Sequence, residues 1–212
     1  MLQIQHFVFN HIQVNTYILF EETKQALVID PAFYYPEEIT LFDKFVSDNE
    51  LQIVEVVFTH PHSDHLAGGA HIIEKYNIIP RINSNSALLL QTMEQQADLI
   101  GFTNFIMPQF KFDLEEGETL KFGNYFLNVM YMPGHADGSV CLYNPDEKIL
   151  FTGDVLFRSS IGRTDFPTGD YELLINNIKS RIFTLPEDVT VYPGHNNPTT
   201  VKFEKRFNPF FN

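Results

Sequence analysis

The sequence has 212 residues, 14 basic and 27 acidic, giving a formal net charge of −13. That field repels polyanions, so nucleic acid is excluded as the expected partner. Hydrophobic residues at 44% and aromatics at 14%, with 21 Phe, exclude a disordered chain and support a substantial core.

Cys141 is the single cysteine, which excludes an internal disulfide framework. It leaves nitrogen and oxygen as the main donors for any metal. The start of the chain carries no basic region, and no apolar run approaches the ~20 residues of a membrane helix. The expectation is a cytoplasmic protein with no membrane partner, folded as one domain over residues 1–212.

Residues 4–9, 16–20 and 26–29 read as a β-meander. Residues 36–49 have helical spacing, with Ile39, Phe42, Phe45 and Val46 on one face. Residues 53–58 are an apolar, Val-rich strand. Directly after it comes Thr59-His60-Pro61-His62-Ser63-Asp64-His65. Helices are predicted over 66–76 and 86–98. Residues 118–122 and 125–130 flank a Gly123-Asn124 turn, and 140–143 and 148–151 flank a second turn at 144–147. Residues 170–182 read as a helix and 189–192 as a strand. Strands followed by helices in both halves predict a layered α/β sandwich.

Polar clusters follow the apolar strands. His60 follows Val56-Val57-Phe58, His135 follows Val129-Met130-Tyr131, Asp154 follows Ile149-Leu150-Phe151, and His195 follows Val189-Thr190-Val191. Four strand ends are therefore expected to meet at one sheet edge. Five of the eight histidines fall in these loops. Imidazole and carboxylate suit zinc, iron(II) or manganese. His60 and His62 can reach one ion if Pro61 fixes a turn, and Asp64 and His65 face a second. His135 and His195 would complete one ion each, and Asp154 has two oxygens with which to bridge. Two ions about 3.5–4 Å apart can share a hydroxide nucleophile and polarise a carbonyl. Gly134, Gly153 and Gly194 allow the turns such loops need.

His6, His11 and His71 lack this context and read as structural. Cys141 reads as a small buried apolar residue. The acidic run 113–118 reads as a solvated turn.

With these motifs in place, the sequence resembles the metallo-β-lactamase superfamily, and within it the glyoxalase II-like hydrolases. The carrying segments are residues 59–65 with Gly68-Gly69, Pro133-Gly134-His135, Phe151-Thr152-Gly153-Asp154 and Tyr192-Pro193-Gly194-His195. Asn15-Thr16-Tyr17 and Ile29-Asp30-Pro31 are also similar. The resemblance implies a four-layer αββα sandwich and two divalent ions, zinc first, with iron or manganese as alternatives. It implies His60, His62 and His135 on the first ion, Asp64, His65 and His195 on the second, and Asp154 bridging. Asp64 would orient the attacking hydroxide as a catalytic residue. The implied reaction is hydrolysis of a small thioester of the S-lactoylglutathione type.

The C-terminal helical region that grips glutathione in glyoxalase II proper is expected to be lacking, since only residues 201–212 follow the last motif. Gly162-Arg163-Thr164-Asp165-Phe166 resembles a segment shared with persulfide dioxygenases, in which the arginine contacts the glutathione carboxylate. Arg163 is thus a substrate-binding candidate, with a structural salt bridge as the competing reading. Asp137 stands where relatives often have Pro, either contacting a ligand residue or serving a turn. The alternative activity is a mononuclear iron persulfide dioxygenase using His60, His135 and Asp154. A non-catalytic, metal-stabilised binding protein is the third class. Oligomeric state is open, with Phe203, Phe207, Phe210 and Phe211 able to pack on the domain or on another subunit.

Overall fold

Two parallel strand pairs, one in each half of the chain, govern where the loops converge. The structure is a computed structural model and describes residues 1–211. In the first half, β1 (Gln3–Phe9), β2 (Val14–Phe20) and β3 (Gln25–Ile29) form an antiparallel meander. Helix α1 (Pro36–Asp48) then crosses back, and β4 (Gln52–Val57) pairs parallel to β3. Pro36 presets the first turn of α1, and Glu37 and Glu38 suit its N-terminal dipole. Glu38 also accepts backbone N–H bonds from Asn10 (2.6 Å), Tyr34 (2.8 Å) and Tyr35 (3.1 Å), fixing the loop that enters the helix.

The second half builds a six-stranded sheet from β5 (Thr119–Phe122), β6 (Tyr125–Tyr131), β7 (Val140–Asn144), β8 (Ile149–Gly153), β11 (Thr190–Pro193) and β12 (Thr199–Thr200). Its order is β12-β11-β8-β7-β6-β5, and β11 runs parallel to β8. A small hairpin, β9 (Leu156–Phe157) with β10 (Ser160–Ile161), stands apart from it.

Period-two alternation sorts the strand residues onto two faces. Tyr17, Leu19, Leu27 and Ile29 of the first sheet meet Leu127, Val129, Leu142 and Phe151 of the second. On the outer face of the first sheet, Ile18, Phe20 and Val28 pack against Phe42 and Val46 of α1 and Ile72 of α3 (Gly69–Tyr76). On the outer face of the second, Cys141, Leu150 and Val191 pack against Leu174 and Ile175 of α6 (Tyr171–Asn177) and Val201 of α7 (Val201–Phe207). The result is four layers in the order αββα. Each fully buried ring, such as Phe42, stabilises the fold by about 1.5–3 kcal/mol.

Three predicted helices differ from expectation. The helix over 66–76 is broken into α2 (Ser63–Leu66) and α3, because the Gly68 N–H donates to Pro31 O (2.8 Å) rather than to the preceding turn. A Cβ at 68 would lie 2.5 Å from that oxygen. The helix over 86–98 is split into α4 (Ala87–Leu90) and α5 (Met93–Leu99), where the Thr92 hydroxyl bonds back to Leu89 O (3.0 Å). The helix over 170–182 starts on an Asp170 cap and widens after α6 into a π-helical turn, Ile178–Ile182. The β9–β10 hairpin, β12 and α7 were not predicted, being two-residue strands and a helix within a segment read as a tail. Of that tail, Phe211 packs on Phe183 (4.7 Å between ring centroids), while Phe207 and Phe210 stay exposed. The acidic run 113–118 is more than a solvated turn. Arg81 binds Asp113 (2.6 Å) and Glu118 (2.7 Å), and Arg181 binds Glu116 (2.7 Å). Among the described residues no helix is long and apolar enough to cross a membrane.

Candidate metal centre

Parallel pairing sets side by side the residues that follow the paired strands. After β3 and β4, Asp30 meets Thr59: the Thr59 N–H donates to Oδ1 and its Oγ1 to Oδ2, both at 2.7 Å. After β8 and β11, the Gly194 N–H donates to Gly153 O (2.7 Å), which brings Asp154 beside His195. The Val140 N–H donates to Thr59 O (2.8 Å) and joins the two halves. Asn15 of β2 then clasps the far loop. Its N–H donates to Gly194 O (2.7 Å), and its Nδ2 donates to Pro193 O (2.9 Å) and Asn196 O (2.8 Å).

All seven residues expected at a metal centre come together. His60, His62 and His135 offer ligand atoms within 4.8 Å of one another, and so do Asp64, His65 and His195. Asp154 lies between the groups. Its Oδ2 is 3.9 Å from His60 Nε2, 3.7 Å from His135 Nε2 and 3.5 Å from His195 Nε2, and its Oδ1 is 3.3 Å from His65 Nε2. Asp30, His60 and His65 form a third close group. Both Asp30 oxygens, however, already accept hydrogen bonds, from Thr59 and from His65.

The outer ring nitrogens carry protons that are already committed. His65 Nδ1 donates to Asp30 Oδ2 (3.0 Å), His135 Nδ1 to Arg163 O (2.7 Å) and His195 Nδ1 to Gln13 O (3.2 Å). The Thr59 hydroxyl proton is spent on Asp30, so Thr59 Oγ1 accepts from His60 Nδ1 (3.0 Å). In each neutral ring the inner nitrogen is then a bare lone pair, the state a metal ligand needs. His135 Nε2 lies 2.9 Å from His62 Nδ1, and His65 Nε2 lies 3.4 Å from His195 Nε2. A single ring proton can occupy each of these gaps, the place a cation would take. His60 Nε2 and Asp154 Oδ1 are buried without a hydrogen-bond partner among the described residues, which costs free energy unless something binds there. The donor set fits two divalent ions with N and O ligands.

The two groups differ electrostatically. Burial, reinforced by neighbouring imidazoles, pushes His60 well below the usual histidine range and His62 down to about 4. Burial also opposes charge on His65 and His195, yet Asp154 overrides it, with help from Asp30 and Asp64 at His65 and from Asp64 at His195. His65 rises well above its ordinary value and His195 to about 10. Burial would raise Asp154 too, but His195 and His65 hold it well below the carboxylate range. The second group thus calls for positive charge, from protons or from a cation.

Arg163 does not reach into this cluster. Its guanidinium is bidentate to Asp165 (2.9 and 2.7 Å), lies 4.1 Å over the Phe166 ring, and is 64% exposed. Its carbonyl, not its side chain, touches the centre. Phe166 in turn packs edge-on to His62 (5.6 Å between centroids), and Phe157 packs likewise on His195 (5.9 Å). Asp137 engages Thr168 through its backbone N–H (2.9 Å), so it serves the turn. Sequence reasoning gave no role to Asp30, Thr59, Gln13, Phe157 or Phe166. Asp30 carried two legible signs: it follows an apolar strand just as His60 does, and Ile29-Asp30-Pro31 is one of the segments that carry the family resemblance. His6 and His71 have carboxylate or amide partners, and His11 bonds Ile100 O (2.7 Å), in keeping with structural roles. Cys141 is buried, and burial pushes its thiol up.

The sequence pattern of the metallo-beta-lactamase superfamily matches residues 10–195. The chain belongs to this superfamily. Hydroxyacylglutathione hydrolase GloC of Haemophilus influenzae is 33% identical over 203 residues, which cover 94% of this chain and 93% of that relative. The crystal structure of BLEG-1 B3 metallo-beta-lactamase matches with a TM-score of 0.86 at 30% identity, covering 99% of each chain. TTHA1623 in a di-iron-bound form matches with a TM-score of 0.82 at 30% identity, covering 97% of this chain and 99% of that one. The αββα layers are the metallo-β-lactamase fold, and the clustered His and Asp residues are candidate metal-binding groups on its strand-end loops.

Proposed function

We propose that this protein is a binuclear metal-dependent hydrolase of small thioesters of the acylglutathione type. The observation that carries the metal centre is the convergence of the inner nitrogens of His60, His65, His135 and His195, each with its opposite N–H tied to a fixed acceptor. The thioester class rests on the likeness to GloC along nearly the full length of both chains. In this reading His60 Nε2, His62 Nδ1 and His135 Nε2 hold one ion. Asp64, His65 Nε2 and His195 Nε2 hold the other, with Asp154 shared. Zinc and iron both suit the donors.

Ions bound there would supply Lewis acidity and lower the pKa of water. Asp64, whose Oδ2 is 3.5 Å from His195 Nε2, orients the attacking water through its carboxylate. Asp30 and Thr59 keep His65 and His60 in the ligating tautomer. Phe157 and Phe166 screen the rim from bulk water. Arg163 exchanges Asp165 for the anionic end of the substrate, a role a planar guanidinium fills well.

The test is metal quantification on purified protein, paired with turnover assays. The expected result is about two ions per chain and hydrolysis of S-lactoylglutathione, with Arg163→Ala raising KM several-fold while sparing kcat. A single iron with oxygen uptake on glutathione persulfide would replace this reading with a dioxygenase. Hydrolysis of a β-lactam in preference to the thioester would favour a lactamase, the reading to which the match with BLEG-1 lends weight.

A further inference from the structure

A cavity of about 520 Å³ lies between the loop entering α1, helix α3 and the segment around residues 101–106. None of the seven residues of the metal centre lines it. Its size falls in the range of small-molecule sites, roughly 300–1,000 Å³. Phe33, Tyr34 and Tyr35 form one side. The Tyr34 and Tyr35 rings stand 5.2 Å apart at 73°, two walls of an aromatic corner. Tyr34 Oη accepts the N–H of Asn104, itself a lining residue (3.0 Å), and Tyr35 Oη bonds His11 Nδ1 (3.1 Å). The two rings give the cavity an aromatic wall.

The opposite side is α3. His71 packs edge-on against Phe33 (5.6 Å) and gives its Nε2 proton to Asp43, 3.1 Å from both carboxylate oxygens. In the neutral ring Nδ1 is therefore a bare acceptor, and it makes no hydrogen bond among the described residues. Glu74, one turn on, lines the same cavity and forms no ion pair or hydrogen bond among the described residues. No lysine or arginine lines the cavity.

We propose that this cavity binds an organic ammonium ion, a primary amine on an apolar stem. Aromatic faces attract a cation, the Glu74 carboxylate neutralises it, and the imidazole and carboxylate both accept the N–H bonds that an ammonium group donates. A carboxylate or phosphate ligand would meet the like charge of Glu74 with no lysine or arginine to offset it. This site is independent of the hydrolase reading, and its test does not use turnover as the primary readout.

The experiment measures binding of three probes of matched shape by NMR titration of the metal-loaded protein, at about 0.15 M salt to screen the net charge. The probes are phenethylamine, 2-phenylethanol and 3-phenylpropionate. The expected Kd for phenethylamine is about 1 mM or tighter, at least tenfold below that of 2-phenylethanol, with 3-phenylpropionate unbound. Glu74→Gln removes the tenfold preference for the amine and leaves metal content and thioester turnover unchanged. Ala70→Phe, which fills the cavity, weakens the amine and the alcohol alike. Three results would overturn the proposal: an amine Kd weaker than about 10 mM, acid binding equal to amine binding, or Glu74→Gln within twofold of the parent.

Discussion

Asp30 Oδ2 holds His65 Nδ1 at 3.0 Å with both side chains buried, and the same oxygen accepts the Thr59 hydroxyl at 2.7 Å. One carboxylate thereby sets the tautomer of His65 directly and that of His60 through Thr59. Asp30→Asn keeps the shape, and asparagine tolerates the positive φ of 47° found there. Its amide, however, offers N–H where His65 needs an acceptor. The expected outcome is a loss of about 10- to 100-fold in affinity for the ion on the Asp64, His65 and His195 side. Elemental analysis across a metal titration reads it, and an unchanged titration would deny Asp30 this positioning role.

Gly194 has no room for a side chain. A Cβ there would sit 2.2 Å from Asp154 Oδ1 and 2.8 Å from His65 Cε1. Gly194→Ala is expected to displace Asp154, reduce bound metal to one ion or fewer, and destabilise the fold by about 1–3 kcal/mol through overpacking. Full metal content in a crystal structure of the variant would refute the tight packing described here.

Removing the metal should cost stability, because His60 Nε2 and Asp154 Oδ1 are then buried with no hydrogen-bond partner among the described residues. Free ion at 100 to 1,000 times its Kd adds about 2.7–4.1 kcal/mol to the folded state. For a chain of this size that corresponds to a fall in Tm of about 10 °C on chelation. Scanning calorimetry with and without chelator, with metal loss verified, measures it. A Tm that stays put would argue that the cluster binds no ion tightly.

Asp43 ties α1 to α3 by accepting from Lys75 (2.7 Å), Tyr76 (2.7 Å) and His71 (3.1 Å). Burial works to raise its pKa, but these bonds, led by that from Lys75, hold it below the ordinary 3.8. A carboxyl depressed by folding contributes stability that is present above its unfolded pKa and lost as pH falls through the folded value. Asp43→Asn should therefore lower the urea midpoint at pH 7, with the gap to the parent narrowing below about pH 4. A gap that is the same at pH 7 and pH 3.5 would remove ionisation of Asp43 from the account.

The strand-end rule made most of the centre legible before any coordinates. His60, His135, Asp154 and His195 each follow an apolar run, and those runs are β4, β6, β8 and β11. Hydrophobic period reports burial, and burial of a central strand fixes where its loop emerges. Supporting groups were less legible because they act through a backbone atom or a single shared oxygen. The carbonyls of Gln13 and Arg163 carry no side-chain signature at all. Helix breaks at Gly68 and Thr92 were hidden for a related reason, since the competing acceptors, Pro31 O and Leu89 O, appear only once the chain has folded. Arg163 was legible as a charge but not as a partner, because Asp165 two residues on claims it first.

The clasp of Asn15 on Pro193 spans 178 positions of sequence. During synthesis, the strand that grips the last loop is therefore made long before the loop exists. At translation rates of about 5–20 residues per second, the first sheet, complete at Val57, waits about 7–28 seconds for His195. Over that interval His60, His62 and His65 can meet free metal without their full complement of partners. Ion capture by the nascent chain would start at the His-x-His loop and finish last, when residues 193–196 dock against β2. Contacts of such long sequence separation close slowly, so the His195 side of the cluster is the last part of the centre to be assembled.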